Sequence, residues 1–385
     1  MKTFPVKLVK TRDKMSNPLF QILILGGTGA MGKNLVHVLN EQGKFHVVVT
    51  SRKDRTDFGN VEYRKGDAHD VEWIGSIFQE RKWDAIVDFM KYSTIDFQNC
   101  VEDLLKATDQ YVFLSSSRVY ADAGEIKITE TSPRLLDVCK DEDYLKTDEY
   151  ALAKARQENI LFCSKSKNWT IIRPYITFSE ERLQLGTMEK EKWLIPALNN
   201  RPIVFSRDIA DRITTMTSGL AVAKCIAALL INSRAKGEVF QIVSNESVSW
   251  HEILKWYIDI FKELKGVAPA IHMTDKWDAR LGGGKYQCKY DRLYNRSFDN
   301  SKIRQFVSAD VFESMEVSLK NAARKFIETY QPGIQDLNQN VEWARGLATG
   351  DFLPVREIVG LRRKMLALAY KLNIIRRKRT NRLWN

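Results

Sequence analysis

The hydrophobic positions near the amino terminus follow two different periodicities. Residues 21–25, QILIL, form a short apolar run that is typical of a strand buried on both faces of a parallel sheet. After Gly32, apolar side chains recur at helical spacing from Leu35 to Leu39, and a second apolar run, FHVVVTS, follows at residues 45–51. This order predicts a strand, a helix and a second strand, which is the repeating unit of an α/β fold.

The turn between the first strand and the helix is rich in glycine, with the sequence GGTGAMG. In such a unit, glycines let the backbone approach a diphosphate, whose charge then lies on the free N–H groups at the start of the helix. The alternative is an ordinary tight turn, but the strand before it and the helix after it favour dinucleotide binding. The cofactor contacts predicted in this turn are Gly26, Thr28, Gly29, Ala30, Met31 and Gly32.

Basic residues follow the second strand, at the place where many NAD-binding proteins carry an acid that binds the ribose 2′-hydroxyl. Arg52 and Lys53 stand there, which favours the 2′-phosphate of NADP, with NAD as the other possible cofactor. The alternative is a pair of solvated charges. Asp67, after the next short strand, is expected either to cap a loop or to accept a hydrogen bond from the adenine amino group.

Further motifs between residues 21 and 305 occur in a recognisable order. The glycine turn is followed by WDAIVDFM, YVFLSSSRVYA, EYALAK, TIIRPY and FDNSKI. In this order the chain resembles the extended branch of the short-chain dehydrogenase/reductase superfamily, the NAD-dependent epimerases, dehydratases and reductases that modify nucleotide sugars. The resemblance implies an α/β fold with a Rossmann-type, doubly wound parallel sheet. It also implies a homodimer that acts on a nucleotide-linked sugar, and the lack of a signal or membrane-spanning segment implies a cytoplasmic location.

The candidate catalytic residues lie in two of these motifs. Tyr150 and Lys154 are four residues apart in a helical pattern, so their side chains share one face. A free tyrosine loses its proton near pH ~10, but an ammonium group and an oxidised nicotinamide nearby favour the phenolate, which makes Tyr150 a candidate general acid and base. The resemblance implies that Lys154 also binds the nicotinamide ribose and that Ser116 orients the substrate. The alternative is an ordinary helical pair, with the lysine extended to solvent.

The residues after Ser116 bear on the type of reaction. Dehydratases of this branch carry an Asp-Glu pair directly after the catalytic hydroxyl residue, because eliminating water needs an acid and a base. Ser117 and Arg118 occupy those positions here, so epimerisation or reduction of a keto sugar is favoured over dehydration. The segment between Ser116 and Tyr150 is longer than is usual in the family, and we expect it to form a lid or a surface loop.

Three basic residues are candidates for binding the substrate diphosphate. In the resemblance, Arg212 stands where an arginine commonly pairs with the diphosphate, and its planar guanidinium suits phosphate oxygens. Lys289 and Arg292 are both candidates for a second contact. For each of the three, the alternative is a solvated surface charge.

The chain is expected to divide into several parts. Residues 1–20 form an amino-terminal extension, and residues 21–180 form the dinucleotide-binding domain, which the chain rejoins at about 205–245. Residues 181–204 and 246–330 form a smaller substrate-binding domain, and residues 331–385 form a helical basic tail.

Charge separates the end of the chain from the rest. The last 25 residues contain nine lysines and arginines and no acidic residue, whereas the sequence before them is nearly neutral and the whole chain has a formal net charge of +12. We expect the tail helix either to dock on the body or on a second subunit, or to lie on the anionic inner face of a membrane. Its predicted apolar stripe consists of Leu361, Met365, Leu368, Leu372 and Ile375.

Composition excludes other classes of protein. No apolar stretch reaches the roughly 18 to 20 residues that span a bilayer, and the first twenty residues lack the apolar block of a secretory signal. The five cysteines are scattered without a C-x-x-C pair, so we expect free thiols and no metal site. The nearly neutral body disfavours a nucleic-acid partner. An RNA-binding or non-catalytic dinucleotide-binding protein on the same fold is the competing hypothesis.

Overall fold

A single parallel sheet forms the centre of the molecule. The computed structural model describes residues 19–333 and 336–372. The strands of this central sheet are β1 (Phe20–Leu25), β2 (Phe45–Ser51), β3 (Val61–Lys65), β4 (Ala85–Asp88), β5 (Tyr111–Leu114), β6 (Trp169–Pro174) and β7 (Glu238–Ile242). They run parallel in the order β7-β6-β5-β4-β1-β2-β3. The strand order reverses between β1 and β4, and open α/β sheets bind ligands at such a switch point. The prediction of a Rossmann-type fold is confirmed.

Helices cover both faces of this sheet. The longer helices of the described residues are α1 (Ala30–Gln42), α2 (Val71–Gln79), α3 (Thr94–Lys106), α4 (Tyr150–Cys163), α5 (Lys190–Leu198), α6 (Gly219–Leu229), α7 (Trp250–Lys265), α8 (Met315–Thr329), α9 (Gln339–Thr349) and α10 (Leu361–Lys371). Within β1, Ile22 and Ile24 pack in the core with α1 and α6, whereas Leu23 and Leu25 pack in the core with α2 and α3. Because both faces are covered, the four buried positions 22–25 of this strand are all apolar.

A second hydrophobic core joins later segments of the chain. Helices α5, α7 and α8 contribute to it, and α7 packs against α8. The strand at Ile203–Ser206 pairs in parallel with the strand at Ile271–Thr274 beside this core. Phe205 and Ile209 belong to the second core, whereas α6 packs on the central sheet and β7 is one of its strands. The chain therefore returns to the sheet after this segment.

The segment between Ser116 and Tyr150 packs against helix α4. Leu135 and Tyr144 share a small core with Ala151 and Leu152. Arg134 of this segment forms a 3.1 Å ion pair with the buried carboxylate of Glu158 on α4. This segment covers α4 in the monomer, which explains why this helix is buried over most of its length.

The described part of the predicted tail contains a packed unit of its own. Asn338 is the N-cap of helix α9, and its side chain accepts hydrogen bonds from backbone N–H groups of the first turn. The helix packs through Trp343 and Leu347. The buried guanidinium of Arg345 donates to the carbonyl oxygens of Lys192 and Pro202 at 2.7 and 2.9 Å. This unit is therefore attached to the second core. Ile375 and residues 1–18 lie outside the described residues.

Candidate active site

The glycine turn connects β1 to α1 through close backbone packing. Gly26 has a φ of +67°, which favours glycine, and its N–H donates to Thr50 Oγ1 at 3.0 Å. A Cβ on Gly32 would lie 2.6 Å from backbone atoms of Gly27. Gly27 was not among the glycines predicted from the sequence to contact the cofactor. Gly27 instead allows the first turn of α1 to approach the end of β1.

The first turn of α1 is open to a ligand. Gly29 caps the helix without a side-chain hydrogen bond, and the first turn contains no acidic residue. A Cβ on Gly29 would have no neighbour within 4 Å. Helix N-termini carry unsatisfied N–H groups and partial positive charge, so this opening fits a phosphate group.

The residues predicted to select the cofactor lie at the ends of β2 and β3. Arg52 and Lys53 are exposed directly after Ser51, whose Oγ accepts a hydrogen bond from the Lys53 N–H at 3.2 Å. Asp67 is also exposed, and its Oδ1 accepts a hydrogen bond from the backbone N–H of His69 at 3.0 Å. Asp67 therefore caps its loop in this structure.

The three predicted catalytic residues line one cavity of about 500 Å³. Ser116 follows the carboxyl end of β5, and Tyr150 and Lys154 lie on the first turns of α4. Met31 of the glycine turn and Arg292 also line this cavity. The structure thus brings together residues that are far apart in the sequence, at the edge of the sheet where the strand order reverses.

Lys154 is buried and not extended to solvent. Its side-chain nitrogen lies 4.4 Å from the centre of the Phe113 ring and makes no hydrogen bond within the described residues. Burial lowers the pKa of the Lys154 ammonium to about 8, although the charges of Asp88 and Glu158 oppose this shift. A buried ammonium without a hydrogen-bond partner, on the wall of a cavity, fits a polar ligand group such as a ribose hydroxyl.

The serines around Ser116 have local partners. The Ser115 hydroxyl donates to Glu158 Oε1 at 2.6 Å, and the Ser117 hydroxyl donates to the carbonyl oxygen of Arg173 at 2.9 Å. Ser116 Oγ accepts a hydrogen bond from the Arg118 N–H at 3.2 Å. As an acceptor there, the Ser116 hydroxyl retains its proton for donation toward the cavity.

Arg118 lines the cavity, although the sequence indicated only that it stands where a dehydratase carries an acidic residue. Its guanidinium lies 5.3 Å from the centre of the Tyr150 ring and donates to Glu149 Oε1 at 2.6 Å. Glu149 also accepts a hydrogen bond from the backbone N–H of Ala151 at 2.9 Å. The first residue of the motif EYALAK could have indicated Glu149 as the cap of α4, but no sequence signal connects Glu149 to Arg118.

Of the three basic residues predicted to bind the substrate diphosphate, only Arg292 lines the cavity. Arg292 is buried, and its Nε donates to the carbonyl oxygen of Gly186 at 2.8 Å. Lys289 is exposed and pairs with Asp141 at 2.8 Å, and Arg212 is exposed; neither lines the cavity.

The cavity wall is strongly cationic. Its basic residues are Lys91, Arg118, Lys154, Arg182, Lys192 and Arg292. Glu189 is the acidic residue on the same wall, and it pairs with Arg182 at 3.0 Å. Arg182 and Lys192 were not predicted as site residues, because they lie in a segment with no recognisable motif. Arg118 and Arg292 also form ion pairs, with Glu149 and Asp291 behind the wall. The lysines supply the remaining positive charge of the wall, which suits an anionic ligand.

A second cavity, of about 710 Å³, lies between α2 and α3. Ala68, which follows Asp67, lines it together with residues of both helices, whereas Ser116, Tyr150 and Lys154 do not. In the part of the chain that the structure describes, no group of three His, Cys, Asp or Glu side chains could hold a metal ion. Each helix described is also too short or too polar to cross a bilayer.

Comparison with known proteins agrees with this geometry. The model of the NAD dependent epimerase/dehydratase family matches residues 22–217. The chain belongs to that family. The family match includes the glycine turn, Ser116, Tyr150 and Lys154, and it ends before Arg292.

Three proteins that resemble this chain share limited sequence identity with it. A UDP-glucose 4-epimerase of Lacticaseibacillus casei is 26% identical over 161 residues, which cover 36% of this chain and 45% of that relative. The dTDP-glucose 4,6-dehydratase of Bacillus anthracis, solved in complex with NAD, has a TM-score of 0.62 at 16% identity and covers 80% of this chain and 97% of its own. The UDP-glucuronic acid 4-epimerase of Bacillus cereus has a TM-score of 0.60 at 15% identity, covering 80% and 99%. The two solved structures show the shared fold.

Proposed function

We propose that this chain is an NAD(P)-dependent enzyme that transfers hydride at a carbinol of a nucleotide-linked sugar, as an epimerase or a keto-sugar reductase. The observation that carries the proposal is the common cavity of Ser116, Tyr150 and Lys154 beside the glycine turn. The family supports a nucleotide-sugar substrate, and the UDP-glucose 4-epimerase relative supports the hydride-transfer chemistry. The cationic wall of the same cavity suits a substrate diphosphate.

The residues present fit a nicotinamide dinucleotide. The open start of α1 at Gly29 fits the diphosphate, and the Lys154 ammonium, which has no hydrogen-bond partner among the described residues, fits the ribose. Arg52 and Lys53, both exposed at the end of β2, would contact a 2′-phosphate, so we propose a preference for NADP over NAD. When bound, the nicotinamide accepts a hydride from the sugar carbinol or donates one to a carbonyl.

The side chains of the cavity would manage the proton that accompanies this hydride. The Tyr150 phenolate would take the proton from the sugar hydroxyl as general base, and the Tyr150 phenol would donate a proton to a sugar carbonyl oxygen as general acid. The Ser116 hydroxyl would hydrogen-bond to the same oxygen and orient it. The Lys154 ammonium, held among Phe113 and the charges of Asp88 and Glu158, would stabilise negative charge near the phenolate.

Arg118 argues against elimination of water. The cavity presents a guanidinium next to Tyr150 at the position where a dehydratase needs acidic residues. Glu149 is occupied by Arg118 and by the Ala151 N–H, so it is not a free base. Epimerisation and reduction require only the proton and hydride steps described above.

The decisive experiment measures turnover of a panel of UDP- and dTDP-sugars by the wild-type protein and by Tyr150→Phe, with products identified by chromatography and NMR. Removing a placed proton-transfer group should lower the rate about 10² to 10⁴-fold. Binding of dinucleotide, measured by calorimetry, should persist in the variant. Equal turnover by the two proteins would exclude Tyr150 as the acid and base.

Mass spectrometry of the nucleotide that co-purifies with the protein distinguishes the two reactions. An epimerase retains its dinucleotide through the cycle, so a tightly bound dinucleotide supports epimerisation. A dinucleotide that is removed by desalting supports a reductase, which must exchange its cofactor in each turnover. If the wild-type protein bound no dinucleotide of either kind, the proposed function would be wrong.

A further inference from the structure

Helix α10 is attached to the body on one side and leaves an apolar side exposed. Ala367 is fully buried in the small core of α9 and α10, and Leu366 packs against the same core. The described members of the predicted apolar stripe are exposed: Leu361 76%, Met365 64%, Leu368 49% and Leu372 60%. These four members of the stripe therefore do not dock on the body, which leaves a second subunit or a membrane as the partner expected from the sequence.

The exposed stripe is continuous. Positions 361, 365, 368 and 372 are separated by four, three and four residues, so the first three line one side of the helix and Leu372 follows directly after its last residue. Scattered apolar residues are normal on a protein surface, but a contiguous row on one helix marks an interaction site. We define these four positions as the α10 stripe.

The charges around the α10 stripe indicate the kind of partner. Arg362 and Lys364 are on this helix, and the sequence after Leu372 adds five more lysines and arginines with no acidic residue. In a two-fold symmetric contact between two copies of the chain, the same basic surface would face itself and like charges would repel. An anionic surface instead satisfies both the apolar stripe and the basic residues.

We propose that the α10 stripe lies on an anionic lipid bilayer and attaches the protein to it peripherally. The apolar side chains would enter the boundary between headgroups and acyl chains, and the basic residues would contact the acidic headgroups. Because α10 is fixed to the body through Ala367, the attached protein would keep one orientation relative to the membrane. This attachment is separate from hydride transfer and does not rest on the proposed function.

The test is co-sedimentation of the full-length protein with vesicles of phosphatidylcholine alone and of phosphatidylcholine with phosphatidylglycerol. The test variant is Met365→Glu/Leu368→Glu, which places two charges in the α10 stripe. The matched control is Val267→Glu/Val317→Glu, which changes two exposed valines elsewhere by the same chemistry. Circular dichroism melting shows that each variant is folded.

We expect the wild type and the control to sediment with the anionic vesicles, and the test variant to lose at least about tenfold in bound fraction. Binding should fall severalfold when salt rises from 0.05 to 0.5 M, since the electrostatic contribution is screened at a shorter distance. The proposal is overturned if the wild type stays in the supernatant at low salt or if test and control bind equally. It is also overturned if light scattering gives a dimer that the test variant alone dissociates, because the stripe would then be a subunit interface.

Discussion

The guanidinium of Arg118 lies 5.3 Å from the centre of the Tyr150 ring. Glu149, the residue before Tyr150, holds it there with a 2.6 Å ion pair. Arg118 therefore does two things at once: it packs on the ring and it places a fixed positive charge beside the proposed proton-transfer group. A reaction that passes through a phenolate benefits from that charge, whereas loss of a hydroxide leaving group needs an acid in its place.

Arg118→Met should reduce turnover about tenfold, because it keeps much of the packing on Tyr150 but removes a charge worth on the order of 1 to 2 kcal/mol in this cavity. Arg118→Lys is the control, since it keeps a cation and should retain more of the rate. The measurement is kcat with the substrate found in the panel. Wild-type kcat in Arg118→Met would mean that the contact is only structural.

The buried ammonium of Lys154 gives a pH-dependent stability. Its pKa is lowered to about 8 in the folded protein from an ordinary value of 10.5, mainly by burial, with Lys91 acting in the same direction and Asp88 and Glu158 against it. Between these values the unfolded chain binds more protons than the folded one, so this lysine makes folding more favourable as pH rises from about 8 to 10. Below that window the ammonium contributes its full destabilisation.

Lys154→Met should remove this contribution. Urea unfolding of both proteins at several pH values from 7 to 10 gives the difference in free energy of unfolding, which should shift in favour of the wild type as pH rises, on the order of 1 kcal/mol per pH unit. Groups that do not interact with Lys154 titrate equally in both proteins and cancel. A difference that is constant over the range would show that Lys154 does not titrate there.

Two glycines of the turn should behave in opposite ways. Gly32→Ala would place a Cβ 2.6 Å from the backbone of Gly27, so the start of α1 must shift and the protein should lose about 1 to 3 kcal/mol of stability. Gly29→Ala meets no neighbour and keeps a backbone that any residue adopts, so its stability should change by less than about 1 kcal/mol.

The effect of Gly29→Ala should instead appear in ligand binding, because its methyl group enters the opening proposed for the diphosphate. We expect calorimetry to give an affinity for dinucleotide at least about tenfold weaker than wild type. Unchanged affinity would mean that the diphosphate does not approach the start of α1.

Arg52→Ala/Lys53→Ala tests the cofactor preference. Two lost charge-assisted contacts should weaken NADP about ten- to a hundredfold while leaving NAD unchanged. Both side chains are exposed, so the melting temperature should stay the same. An equal loss for both dinucleotides, or none, would assign the two residues to the solvated surface.

Local rules were enough to predict several parts of this protein from its sequence. The uniform apolar pattern of residues 22–25 reflects burial on both faces of the sheet, because neighbouring positions of β1 pack in different cores. The shared face of Tyr150 and Lys154 follows from helical spacing alone. The glycine turn, with its fixed order of strand, turn and helix, is equally local.

Tertiary structure decided what depends on residues distant in sequence. Arg212 was the first candidate for the diphosphate, and Lys289 and Arg292 were candidates for a second contact. Only Arg292 lines the cavity, because its guanidinium donates to the Gly186 carbonyl, whereas Lys289 pairs with Asp141 at the surface. The α10 stripe is visible in the sequence, yet its exposure depends on Ala367 docking on the opposite side. Periodicity fixes which side chains share a side of a helix, but the packing of other segments determines which side is covered.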